Sequence, residues 1–117
     1  MTERTAWALL ALIHLLPALA LVRPSLIERL YGVAPGGDVF LLLHHRAALF
    51  AAVAASAAWA AFDPAARPLA ALVVGISMVG FIAVYAFGGA PVGLRSIAIA
   101  DLVGLPALLY VAWRAWT

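Results

Sequence analysis

The sequence predicts an all-α membrane protein: a single domain over residues 1–117 that forms an antiparallel bundle of four transmembrane helices. Of the 117 residues, 68% are hydrophobic and 10% are charged, whereas a soluble domain carries about 25% charged residues. Four apolar segments approach the roughly 20 residues that a helix needs to cross the hydrocarbon, at about residues 6–22, 39–62, 69–87 and 94–113. The links after the second and third segments are short, as expected between antiparallel neighbours.

The first segment contains no charged residue and follows Arg4. Its apolar run is long for a signal peptide and no A-x-A pattern closes it before Arg23, so we expect a retained helix. The fourth segment ends with Trp113 and Trp116, and tryptophan favours the membrane interface. Both terminal segments are therefore interpreted as membrane spans.

The longer first link, RPSLIERLYGVAPGGD, predicts a short interfacial helix between spans 1 and 2. Pro24 suits the first turn of such a helix, and Asp38 is a plausible N-cap for the second span. One face of the predicted helix carries the apolar residues Leu26, Ile27, Leu30 and Tyr31.

The basic residues are seven arginines with no lysine, in an alanine-rich chain. This composition is typical of a GC-rich bacterial genome, so we expect a multi-pass protein of the bacterial inner membrane. A net charge of +2 does not indicate nucleic-acid binding, and the absence of cysteine excludes disulfides and thiolate metal sites. Three arginines flank each predicted membrane face, Arg4, Arg67 and Arg114 on one and Arg23, Arg29 and Arg95 on the other. The positive-inside rule therefore leaves the orientation open.

Four polar residues fall at a similar depth in the predicted bundle: His14, Arg46, Tyr85 and Asp101. A carboxylate within a span is costly unless it is paired, hydrated or protonated, and Arg46 is the natural partner of Asp101. The pair is interpreted either as a structural ion pair or as part of a ligand-binding or proton-linked site, with His45 beside it. Ser77 and Ser96 are further candidates to line this site.

The stretch HHR at the start of span 2 does not form one three-residue site, because adjacent helical residues point about 100° apart. Arg46 is predicted to face into the bundle. The opposite face carries small residues that permit close contact with another helix, including one from a second subunit, which predicts a homo-oligomer. This packing or oligomer face contains His44, Ala48, Ala51 and Ala55.

No metal site and no cofactor are predicted. A bis-histidine haem between His14 and one of the two histidines of span 2 is an alternative, but no second ligand lies at helical spacing beside either. Pro17 and Pro106 lie near His14 and Asp101 and predict kinks. Glycines of the third span, Gly75 and Gly80, are predicted to permit close helix packing.

Three stretches, LYGV after span 1, HHRAALF in span 2 and RSIAIADLVGL in span 4, resemble a group of small bacterial membrane proteins broadly similar to the DoxX-like four-helix proteins. The resemblance implies a four-helix membrane bundle with distinctive polar positions at His45, Arg46 and Asp101. It implies no agreed reaction, since some DoxX-like proteins are associated with quinone-linked respiratory complexes and others act as accessory factors. Small multidrug exporters have a similar size, but they carry a glutamate in the first span, where this chain has His14 as the ionisable residue.

The predicted function is binding of a lipid-like or amphipathic ligand, or of a partner protein, at an intramembrane polar site. Membrane lipid and a hydrophobic small molecule are the expected partners. One alternative is a small proton-coupled transporter that uses Asp101 or His14. Another is a membrane enzyme that acts on an isoprenoid or lipid with His45 or Asp101 as acid or base. Binding is favoured over catalysis because the sequence contains no nucleophile elbow, phosphate loop or paired catalytic carboxylates.

Overall fold

The computed structural model describes residues 2–117, and over this range it contains five α-helices and no strand. The helices are α1 (Glu3–Ala18), α2 (Ser25–Tyr31), α3 (Asp38–Phe62), α4 (Arg67–Phe87) and α5 (Arg95–Trp116). Short 3₁₀ turns extend three of them, Leu19–Leu21 after α1, Pro64–Ala66 before α4 and Val92–Leu94 before α5. The prediction of four long apolar helices is confirmed, since all four are long and apolar enough to cross a membrane.

The four long helices form a ring in which α1 and α4 each pack against α3 and α5. At one end, Arg67 at the start of α4 contacts Glu3 at the start of α1 and the carbonyl of Ala60 near the end of α3. At the other end, the His44 side chain of α3 contacts the carbonyl of Leu21 that follows α1. Consecutive long helices are therefore antiparallel, and we call the two ends of the bundle the Glu3 end and the His44 end.

Helix α2 closes the His44 end and confirms that the first link contains a short helix. It ends at Gly32, whose φ of +68° suits glycine and whose N–H donates to the Glu28 carbonyl at 2.8 Å. Ile27 is fully buried beside Ala20 and Ala47, in a cluster separate from the main core. Part of the predicted apolar face of α2 thus packs onto the bundle. Its position at a membrane interface stays a prediction.

The expected N-cap at Asp38 is wrong by one residue. Gly37 occupies the cap position and Asp38 is the first residue of α3, with no side-chain cap bond. The chain turns through Gly36 and Gly37, both with φ of +87°, a conformation that favours glycine. The Asp38 carboxylate lies instead in the first turn, where the helix dipole favours negative charge.

The main core occupies the Glu3 half of the bundle and consists largely of small residues around one tryptophan. Trp7 is fully buried, and its indole N–H has no hydrogen-bond partner among the described residues. The core also contains Ala6, Leu10, Ala57, Ala60, Ala61, Ala70, Ala71, Val74, Met78, Ala107, Leu108 and Val111. Close packing was predicted at Gly75 and Gly80, but a Cβ atom at either would meet nothing within 4 Å. Among the glycines of the long helices, Gly104 is the closely packed one, since a Cβ atom there would lie 2.8 Å from side chains of both α1 and α4.

A partly exposed polar cluster joins the four long helices at the Glu3 end. The carboxylate of Glu3 accepts hydrogen bonds from Arg67 and, at 2.8 Å, from Arg114 of α5. The Arg67 guanidinium also donates to the carbonyls of Ala60 and Ala61, at 2.8 and 3.3 Å. These carbonyls belong to the last turn of α3, where helical donors are missing. Arg67 therefore supplies the donors that the end of α3 lacks.

Replacing Arg67 with glutamine is expected to lower the free energy of unfolding by about 1–3 kcal/mol, because partly buried acceptors would lose charged donors. Its side chain is only 15% exposed, which limits competition from water. The matched control is Arg95→Gln, since Arg95 is exposed and forms no ion pair among residues 2–117. Thermal unfolding of the purified variants in detergent provides the measurement, and equal losses for both would contradict the role of Arg67.

Candidate functional site

The Arg46 guanidinium lies in a cage of three aromatic rings from three helices. Its Cζ atom is 5.7 Å from the ring centre of Tyr31 in α2, 4.8 Å from that of Phe50 in α3 and 5.0 Å from that of Phe81 in α4. Distances within about 6 Å allow cation–π attraction. Ring faces stabilise the positive charge, but they do not accept hydrogen bonds from the guanidinium N–H groups as a carboxylate does.

No hydrogen bond or ion pair of Arg46 is found within the described residues. The cage thus holds a cation whose five donors are free. Burial raises the pKa of the Tyr31 phenol, an effect that the Arg46 guanidinium partly offsets. The phenol is therefore neutral at pH 7, and it does not neutralise Arg46.

Arg46 lies at a groove of about 440 Å³ between α3 and α4. Its polar lining groups are the Arg46 guanidinium and the Ser77 hydroxyl, and its remaining walls are apolar. The groove opens on the outer surface of the bundle, because Leu49 and Val84 on its walls are exposed. Its other lining residues are Phe50, Val53, Gly80, Phe81 and Leu94. A groove of this size, apolar with few polar groups, is typical of a small-molecule site.

Asp101 lies in a second, smaller cavity of about 190 Å³ between α1, α2 and α5. Its side chain is 5% exposed. Ion pairs in residues 2–117 involve Glu3 with Arg67 and Arg114, and none includes Asp101. The carboxylate has no hydrogen-bond partner in that range either.

The expected ion pair between Arg46 and Asp101 is therefore wrong. Phe50 lines both the Arg46 groove and the Asp101 cavity. The cation lies over the Phe50 ring in the aromatic cage, while the carboxylate lines the cavity bounded by α1, α2 and α5. Helical depth alone does not determine which side chains each of the two residues contacts, because that depends on how each helix is rotated about its axis.

His14 is 1% exposed and makes contacts through both ring nitrogens. Its Nδ1 donates to the Leu10 carbonyl at 2.8 Å, which leaves Nε2 of the neutral ring as an acceptor. Nε2 lies 3.5 Å from the Ser77 hydroxyl, and the ring centre is 5.9 Å from that of Phe50. His14 thus lies behind the Arg46 groove, in contact with two of its lining residues.

The other predicted site residues lie at the edge of the cage or outside it. His44 donates from Nε2 to the Leu21 carbonyl at 2.9 Å, and His45 is exposed. The Tyr85 ring stacks on Phe81 at 6.0 Å, so it extends the aromatic cage without lining the groove. The structure therefore brings together Arg46, His14 and Tyr85 around the groove and places Asp101 in the adjacent cavity.

The alanine face of α3 lies against α1, with which α3 packs most extensively. Its exposed edge forms an apolar groove that contains Ala51 and Ala55, together with Ala58. Ala48 is half-buried beside it. The small residues thus serve helix contact within one chain, and the homo-oligomer stays a prediction.

Sequence reasoning missed the roles of Tyr31 and Phe81 in the cage and that of Glu3 at the opposite end. Tyr31 was recognised only as part of the apolar face of α2. An available signal was the presence of aromatic residues on α2 and α4 at the depth of Arg46. Among residues 2–117, no three His, Asp or Glu side chains converge as a metal site would require. Haem binding remains untested.

Comparisons with protein-family models, curated proteins and solved structures found no match for this chain. The resemblance to DoxX-like proteins therefore stays a prediction, and the functional argument rests on the groove and the cavity.

Proposed function

We propose that this chain is an integral membrane protein that binds an anionic amphipathic molecule, with the head group at Arg46 and the hydrocarbon chain in the groove between α3 and α4. Four helices of spanning length and apolar composition support its insertion in a membrane. In this setting α2 lies at the interface on the His44 side. The composition supports the bacterial inner membrane as its location.

The observation that carries the proposal is the caged Arg46 guanidinium, which has no acceptor among residues 2–117. A cation at membrane depth is costly unless a partner compensates it. The three rings stabilise the charge and hold its position, while the N–H donors remain available. A carboxylate or phosphate head group would accept these donors in the paired geometry that guanidinium groups favour.

The shape of the groove supports an amphipathic ligand over a small soluble anion. Beyond Arg46 its walls are formed by apolar side chains such as Leu49, Val53 and Val84, which match a hydrocarbon chain. The exposed walls would let such a molecule enter sideways from the lipid. A binding or accessory role follows, and the transporter and enzyme alternatives stay predictions.

Replacing Arg46 with glutamine is expected to weaken binding of dodecanoate and of dodecyl phosphate at least about tenfold, the loss expected when a charged hydrogen-bonding partner is removed. Equilibrium binding of the radiolabelled probes to the protein in phosphatidylcholine nanodiscs provides the measurement. Arg95→Gln removes the same charge at an exposed position and should bind both probes normally. The two anionic probes distinguish a carboxylate from a phosphate head group.

Wild-type protein supplies a test that does not depend on the folding of a variant. Dodecanol has the same chain as dodecanoate but no charge, and it should bind at least about tenfold more weakly if Arg46 selects the head group. Equal affinity for dodecanol and for both anionic probes, or unchanged binding by the Arg46→Gln protein, would refute the proposal.

A further inference from the structure

The Asp101 cavity is separate from the Arg46 groove and has the opposite charge. It lies where α1, α2 and α5 meet, and Phe50 closes it toward α3. Leu16 on its wall is 62% exposed, so the cavity reaches the outer surface of the bundle beside α1. Its remaining lining residues are Ile13, Pro17, Leu30, Ser96, Ile97 and Ala100.

Asp101 is a buried carboxylate without a protein partner. Its side chain is 5% exposed and lines the cavity, and no donor within residues 2–117 reaches it. Arg46, the cation nearest in depth, lies over the Phe50 ring and forms no ion pair with Asp101. A buried carboxylate is compensated by protonation or by a cationic group, and the cavity beside Asp101 leaves room for such a group from outside the chain.

We propose that the Asp101 cavity binds the primary ammonium head group of an amphipathic molecule. An ammonium group has three N–H donors. Two side chains of the cavity lining carry acceptor oxygens, Asp101 with its carboxylate and Ser96 with its hydroxyl. The other walls are apolar and suit the carbon atoms that carry the ammonium group.

The size and lining of the cavity support this class of ligand over a metal ion. A volume of about 190 Å³ corresponds to roughly six groups of the size of a water molecule, which is room for a head group and the first carbons of its chain. Calcium takes six to eight oxygen ligands, and this cavity supplies one carboxylate and one hydroxyl. The rest of an alkyl chain would leave past Leu16 toward the lipid.

A head-group series on the wild-type protein tests the proposal. Binding of radiolabelled dodecylamine, dodecyltrimethylammonium and dodecanol is measured at pH 7.5 in phosphatidylcholine nanodiscs, with empty nanodiscs subtracted. Dodecylamine should bind at least about tenfold more tightly than either analogue, because the trimethylammonium group lacks N–H donors and the alcohol lacks charge. Equal affinity for dodecyltrimethylammonium would overturn the proposed recognition.

Variants identify the residues that carry this preference. Asp101→Asn should weaken dodecylamine binding at least about tenfold, and Ser96→Ala should weaken it about threefold. Glu28→Gln removes the same charge as Asp101→Asn from an exposed position on α2 and should leave binding unchanged. Unchanged binding by Asp101→Asn would overturn the site, and a loss in Glu28→Gln as large as that in Asp101→Asn would show non-specific attraction instead.

A competition experiment distinguishes two sources of the ammonium group. Phosphatidylethanolamine is added to the nanodisc as a competitor. If it displaces dodecylamine from the wild-type protein, but does not reduce the weak binding that remains in the Asp101→Asn protein, the occupant is a lipid head group. If it displaces none, the cavity takes a free alkylamine. Arg46→Gln should retain dodecylamine binding, and Asp101→Asn should retain dodecanoate binding, so failure at one site is distinguishable from failure at the other.

Discussion

Replacing Trp7 with alanine is expected to lower the free energy of unfolding by about 3 kcal/mol, the low end of the range for removing a buried tryptophan. Trp7 is fully buried in a core built mostly of alanines. Small neighbours have short side chains that cannot reorient to fill the space. Under the proposed insertion in a membrane the low end is expected, because helices there associate through packing without the full hydrophobic driving force found in water.

The matched control is Trp113→Ala, which removes the same side chain from a position that is 63% exposed. Reversible unfolding of the purified variants by SDS in mixed micelles provides the measurement. Equal destabilisation by the two changes would contradict the central position of Trp7.

Trp7→Phe separates the packing of the ring from the cost of its unpaired donor. The indole N–H is buried without a partner in the described part of the chain, and phenylalanine removes that group while keeping most of the volume. A loss of about 1 kcal/mol or less is expected, since the smaller ring leaves a cavity while relief of the unpaired donor offsets part of its cost.

Replacing Gly104 with leucine is expected to cost about 1–3 kcal/mol, the typical cost of overfilling a packed core. A Cβ atom at this position would lie 2.8 Å from Ile13 Cδ1 and 2.8 Å from Met78 Cε. Gly104→Ala should lose less stability than the leucine variant, because both contacting atoms lie at the ends of flexible side chains that can shift. A leucine side chain is too large to be accommodated by such shifts, since α5 faces α1 and α4 at this position.

Gly75→Leu is the matched control, because it makes the same change in a long helix where a Cβ atom meets nothing within 4 Å. Both changes gain similar helix propensity, so the difference in unfolding midpoint isolates the packing at Gly104. A Gly75 variant as unstable as the Gly104 variant would show that the close approach in α5 does not carry the cost.

Much of the fold was predictable because it depends on local sequence. Apolar runs of about 20 residues predicted four helices, and the structure places them at Glu3–Leu21, Asp38–Phe62, Pro64–Phe87 and Val92–Trp116. Short links predicted their antiparallel order. The helix in the first link followed from the spacing of its apolar residues.

The candidate site was predictable in part. Helical rise placed Arg46 and Asp101 at similar depth, and helical angles separated Arg46 from His44. The aromatic cage of Arg46 and the separate cavity of Asp101 were not predictable, because they depend on how each helix is rotated about its axis. For the same reason the closely packed glycine is Gly104, and not Gly75 or Gly80 as expected.

The sequence by itself determined the four long helices, their order and the set of polar residues that they carry. Only the tertiary structure decided which partners those residues have: three aromatic rings for Arg46, an adjacent cavity for Asp101 and two arginines for Glu3. The physical reason is that hydropathy and chain length determine where a helix begins and ends. Helix rotation and side-chain packing, which involve residues far apart in the chain, determine what each polar group meets.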